Sequence, residues 1–89
     1  MTKKRRKLNK DFERKIYSSK KNVELVLAKI NDIDDEEIQK EYMIAFTGVV
    51  KLYDALNEDY EQLGFNANSE KFLINYKKAF NLFESEFEI

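Results

Sequence analysis

The chain has 89 residues, with neither Cys nor His, and a formal net charge of −1. Without Cys there are no disulfides, Fe–S clusters or thiolate zinc sites, and without His the commonest general base and every Ser/His or Cys/His nucleophile pair are excluded as well. Hydrophobic residues form 43% of the chain and include seven Phe and five Tyr, so a folded core is expected rather than disorder. Its size suits one domain, read as a single helical bundle over residues 1–89 with a basic N-terminal segment, 1–22. Two Gly and no Pro leave too few breakers for an all-β chain, which needs a turn every eight to twelve residues or so.

The near-zero net charge conceals an uneven distribution. Residues 1–22 hold ten Lys/Arg against Asp11 and Glu13, a balance of +8, whereas residues 23–89 hold six Lys against fifteen Asp/Glu, a balance of −9. Such asymmetry points to an electrostatic partner for one end of the chain.

The first element is a long amphipathic helix over about residues 6–31. Leu8, Phe12, Ile16, Ser19, Val23, Val26, Leu27, Ile30 and Ile33 recur at steps of three and four, within a sector roughly 120° wide. Poor helix formers cluster at Ser18-Ser19-Lys20-Lys21-Asn22, and Asn22 is suited to cap a new start at Val23. A break near 18–22 turns three helices into four.

Asp34 followed three residues later by Glu37 has the form of a capping box, with Asp35 and Glu36 adding negative charge where the helix dipole favours it. The second helix, about 35–63, carries Ile38, Tyr42, Ala45, Phe46, Val49, Leu52, Tyr53, Leu56, Tyr60 and Leu63 and stops at Gly64, read as a left-handed cap. Phe65 is placed to pack back on the helix end. Asn66-Ala67-Asn68-Ser69 is a polar connection with Asn68 or Ser69 as N-cap, and the third helix, about 69–87, carries Phe72, Tyr76, Ala79, Phe80, Phe83 and Phe87.

Short connections make successive helices antiparallel neighbours, so the expected fold is all-α, a small antiparallel helical bundle. The third helix, about 27 Å long at 1.5 Å per residue, is expected to lie along the Leu8–Ile16 end and leave the 25–44 end less covered. Leu25, Ile30, Ile33, Ile38, Tyr42 and Met43 are there read as an apolar tip that binds a copy of the chain or a larger protein, unless a fourth helix covers it.

No apolar run approaches the roughly 20 residues needed to span a bilayer. The basic start at Lys3 is followed by Leu8, Asn9, Lys10 and Asp11 rather than an apolar signal-peptide core, so a cytoplasmic protein is expected. Heavy use of Lys, Asn, Ile, Glu, Phe and Tyr matches AT-rich coding of the kind found in low-GC bacteria and mobile elements such as phages.

Few residues offer chemistry. Gly48 and Gly64 stand alone, so there is no Gly-rich phosphate loop. The acids Asp32, Asp34, Asp35, Glu36 and Glu37 lack the central Gly of a calcium loop, are flanked by Ile33 and Ile38 in hydrophobic register, and read as a helix N-terminus complementing its dipole. No enzyme chemistry, metal or cofactor is expected.

The basic segment is more specific. On the helical wheel Lys3, Lys7, Lys10, Arg14 and Lys21 share a sector about 60° wide, opposite Leu8, Phe12 and Ile16. Cations in a first turn oppose the dipole, so local helix stability does not explain them. Lys3, Lys4, Arg5, Arg6, Lys7, Lys10, Arg14 and Lys21 are therefore read as nucleic-acid backbone contacts, with Tyr17, the aromatic off the apolar sector, as a stacking candidate. The expected function is that of a non-enzymatic accessory protein that binds nucleic acid without sequence specificity, within a larger nucleoprotein assembly. The other readings of the segment are an acidic protein, a membrane surface, which the bundle's need for the apolar face disfavours, or a solvated tail partly neutralised by Glu58, Asp59, Glu61 and Glu70. The alternative function is a protein-binding subunit, inhibitor or immunity-type module acting through the apolar tip and acidic surface.

Overall fold

The computed structural model describes residues 7–89. Helix α1 spans Lys10–Asn31, α2 spans Glu36–Leu63 and α3 spans Ser69–Glu86. The described chain is 82% helical, without strands, a small all-α bundle of three helices.

Helix α1 starts four residues later than its periodicity suggested. Asn9 is its N-cap, in an extended conformation, and its side-chain oxygen accepts the Phe12 N–H at 3.0 Å. Lys7 and Asn9 are held by bonds from outside the helix. The Lys7 carbonyl accepts the Phe65 N–H at 2.6 Å, and the Asn9 N–H donates to the Tyr60 hydroxyl at 3.0 Å. Leu8 was counted into the apolar stripe, but it precedes the helix and is 62% exposed.

The expected break near 18–22 does not occur. The Ser19 hydroxyl donates to the Lys15 carbonyl one turn back at 2.8 Å, which satisfies its polar atom without leaving the helix. Ser19 faces inward and is buried, and its small side chain admits Tyr76 of α3, whose hydroxyl donates to the Ser19 carbonyl at 3.2 Å. The residue that looked like a hinge is a small packing position under an aromatic ring.

The next cap also shifts by one residue. Asp35, rather than Asp34, takes the extended backbone of an N-cap, and its Oδ1 accepts the N–H groups of Glu37 and Ile38 at 3.0 and 3.1 Å. The turn is closed by Gln39, whose amide donates to the Ile30 and Asn31 carbonyls at the end of α1. At the other end of α2, Gly64 has φ 70° and ψ −162°. The positive φ agrees with the sequence reading, but the ψ is extended rather than left-handed helical, and it carries the chain straight into its pairing with Lys7.

Phe12, Ile16, Val23, Val26 and Ile30 of α1, Phe46, Val49, Tyr53, Leu56 and Tyr60 of α2, and Leu73, Tyr76 and Phe80 of α3 make one core. Burying a large apolar side chain stabilises by about 1.5–3 kcal/mol, so these thirteen positions dominate the favourable side of folding.

Helix α3 covers more of α2 than length alone suggested. The Asn66 amide donates to Asp59 at 2.8 Å and to the Gly64 carbonyl at 2.9 Å, folding the connection back by about a turn of α2. The 18 residues of α3 then run from Ser69, whose hydroxyl donates to the Gly64 carbonyl, to Glu86, which accepts the Tyr42 hydroxyl. Ring contacts mark the path: Tyr76 on Tyr53 at 6.1 Å, Phe83 on Phe46 at 4.9 Å and, just past the helix, Phe87 on Tyr42 at 5.3 Å.

Candidate nucleic-acid interface

The register that buries Phe12, Ile16 and Ser19 sends the intervening cations outward. Lys7, Lys10, Arg14, Tyr17 and Lys21 are all exposed; Lys3, Lys4, Arg5 and Arg6 lie outside the described residues. The Arg14 guanidinium approaches Asp11 at 3.5 Å with both side chains largely exposed, a pair of little energetic weight. The Lys21 ammonium sits 5.0 Å from the centre of the Tyr17 ring, a cation–π contact between successive turns of α1.

Tertiary packing adds cations that the sequence reading had assigned to the acidic body. A groove of about 690 Å³ runs between α1 and α3, and Arg14, Lys15, Lys77 and Lys78 line it together with Ser18, Asn22 and Asn81. Tyr76 sets this geometry: docking on Ser19 fixes the rotation of α3, and the next two residues stand at the groove. Lys77 pairs in sequence with nothing basic except Lys78, so the sequence signal for them exists only once α3 is placed antiparallel to α2 and beside α1. Tyr76 and Phe80 form the floor, and burial pushes the Tyr76 hydroxyl up to about 12. Glu84 is the single acid on the lining.

Two carboxylates stand together on the α2 side of α1. Glu13 and Glu61 line a hollow between α1 and α2 with Asn57 and Tyr60, and the Tyr60 hydroxyl donates to Glu13 at 2.6 Å. Tyr53 is raised above its ordinary value, first by burial and then by the negative charge of Asp54, Glu24 and Glu61. The acids expected to neutralise the basic end are engaged in several ways: Asp59 accepts from Asn66, Glu58 accepts from Gln62 at 3.3 Å, and Glu70 shares a hollow with Lys7. Helix α1 therefore has a groove with four cations and one acid on its α3 side and a hollow with Glu13 and Glu61 on its α2 side, while Glu24 shares a further hollow with Lys20 and Lys21.

The six residues expected to form an apolar tip are not brought together. Ile30 is fully buried in the core, Ile33 and Met43 are partly buried, and Tyr42 packs on Phe87 and donates its hydroxyl to Glu86. Leu25 and Ile38 are each 45% exposed, but Leu25 lies on α1 beside Tyr17, Lys20 and Lys21, whereas Ile38 faces Leu82 of α3. The expectation failed because α3 reaches Tyr42 and because the stripe residues of the hairpin turn inward.

Among the described residues no group of three or more acids is placed to hold a metal ion, and no helix is long and apolar enough to cross a membrane. No protein-family model, curated protein or solved structure matches the chain.

Proposed function

We propose that this protein is a non-enzymatic cytoplasmic accessory factor that contacts nucleic-acid backbone along the basic side of α1 and the α1/α3 groove, within a larger nucleoprotein assembly. The observation that carries the reading is the convergence of Arg14 and Lys15 with Lys77 and Lys78, from opposite ends of the chain, on one groove, while Glu13 and Glu61 line a hollow on the α2 side of α1. Segregation of this kind sets up a directional field that attracts a polyanion and orients it. The Ser18, Asn22 and Asn81 side chains supply neutral donors of the sort that join Lys and Arg in holding phosphate oxygens. Contacts of this type fix position without reading bases, so the binding is insensitive to sequence.

Fluorescence anisotropy with labelled single- and double-stranded oligonucleotides over a salt series tests the reading. With about five phosphates neutralised, the slope of log affinity against log salt is about −4 to −5 for duplex and about −3.5 for single strand. No binding at low salt overturns the proposal.

A further inference from the structure

A second surface, on the α2 side of α3, has a different chemistry. Leu82 is 73% exposed although α3 buries Ser69, Leu73, Tyr76 and Phe80 along another face. Its position is therefore not explained by this bundle's own core. Across from it stands Ile38 of α2, 45% exposed, and between the two lies a groove of about 440 Å³ with Ala45 and Phe83 among its lining residues. The groove is edged by Glu41 from α2 and Glu86 from α3, and the Tyr42–Glu86 hydrogen bond ties the two helices together beside it.

We infer that the α2/α3 groove is a docking site for a basic amphipathic helix of a partner protein, one that presents apolar residues at three- and four-residue spacing flanked by Lys or Arg. The shape fits because the valley between two packed helices is where the side-chain ridge of a further helix seats, completing a four-helix arrangement. Charge complementarity selects the occupant. A second copy docked symmetrically on the same surface sets Glu41 and Glu86 against their own counterparts, and like charges across an interface work against pairing, whereas cationic flanks pair with both edges. Helix α1 of another copy does not qualify, since its apolar face is already spent on the core.

The test uses the full chain and three synthetic helical peptides of about 16 residues: one with a Leu face and Lys flanks, one with the same Leu face and Glu flanks, and one with Lys flanks and Ser in place of Leu. The expected result is saturable binding of the first peptide alone, weakened at least tenfold by Leu82→Asp, which places an unpaired charge at the centre of the contact. The double variant Glu41→Lys/Glu86→Lys is expected to switch preference to the Glu-flanked peptide. Because Leu82 is exposed, Leu82→Asp keeps the wild-type far-UV circular dichroism and melting temperature. Failure of the Leu/Lys peptide to bind, or equal binding by wild type and Leu82→Asp, overturns the inference. So does concentration-dependent self-association in sedimentation that Leu82→Asp abolishes, which assigns the groove to a second copy instead.

Discussion

Neutralising the two groove lysines of α3, with Lys77→Gln and Lys78→Gln combined, separates a site built by tertiary structure from a basic tail acting alone. Both side chains are exposed, so the change in folding stability stays within about 0.5 kcal/mol. Each lost phosphate contact removes about 0.9 from the salt slope on duplex and about 0.7 on single strand, so the pair removes about 1.8 or about 1.4. Raising salt from about 50 to about 200 mM therefore shrinks the affinity ratio of wild type to variant by about 12-fold on duplex, or about 7-fold on single strand. The assay is a side-by-side anisotropy titration at several salt concentrations. Lys40→Gln/Lys51→Gln is the control, with the same change in net charge made at exposed lysines of α2 that do not line the groove. Equal slopes for wild type and the groove variant, or equal losses in the groove variant and the control, refute the α1/α3 groove as the contact surface and return binding to the N-terminal segment.

Other expectations concern the scaffold, and each is checked by urea or thermal unfolding. The two glycines behave oppositely: Gly48, inside α2 with open space where a Cβ would stand, gains about 0.5–1 kcal/mol on substitution by Ala, whereas Gly64→Ala loses about 1–3 kcal/mol because its φ of 70° with extended ψ is a glycine conformation. Asp35→Ala costs about 1 kcal/mol by leaving the Glu37 and Ile38 N–H groups without their cap, while Asp34→Ala is close to neutral. Tyr76→Phe costs about 0.5–1.5 kcal/mol through the lost bond to Ser19, and it changes the alkaline behaviour. The folded protein holds the neutral phenol, with its titration raised from 10.0 to about 12. That contribution is complete below pH 10 and is lost as pH rises from about 10 towards about 12. The urea midpoint of wild type therefore falls more steeply over this window than that of Tyr76→Phe, and parallel curves refute the assignment.

Much of the fold was legible because helical periodicity is a local property. Most positions that recur at three and four residues between Phe12 and Ile30 and between Phe46 and Tyr60 are those the core buries, with Leu27 and Leu52 at its edge. On α3 the core takes Tyr76 and Phe80 and also Leu73, which the expected stripe omitted, while Phe72 and Ala79 are partly buried. Errors arose where a distant residue decided a local choice. Asn9 caps α1 while Tyr60 and Phe65 bond to Asn9 and Lys7, and no local pattern around Leu8 reports on residues more than fifty positions away. Ser19 resembled a break because helix propensity disfavours serine; a buried contact with Tyr76 outweighed that preference.

The candidate site divides the same way. Sequence alone determined that the chain is helical, that it lacks the side chains of thiol, imidazole and phosphate-loop chemistry, and that its first quarter is cationic, since composition and periodicity require no knowledge of neighbours. Only the tertiary structure decided that Lys77 and Lys78 join Arg14 and Lys15, that Glu13 and Glu61 stand together on the α2 side of α1, and that Ile38 and Leu82 rather than Ile30 and Met43 remain exposed. The physical reason is helix rotation. Each helix presents a full circle of side chains, and the packing of Tyr76 on Ser19 and Phe87 on Tyr42 fixes which arc of α3 meets α1, which meets α2 and which stays exposed.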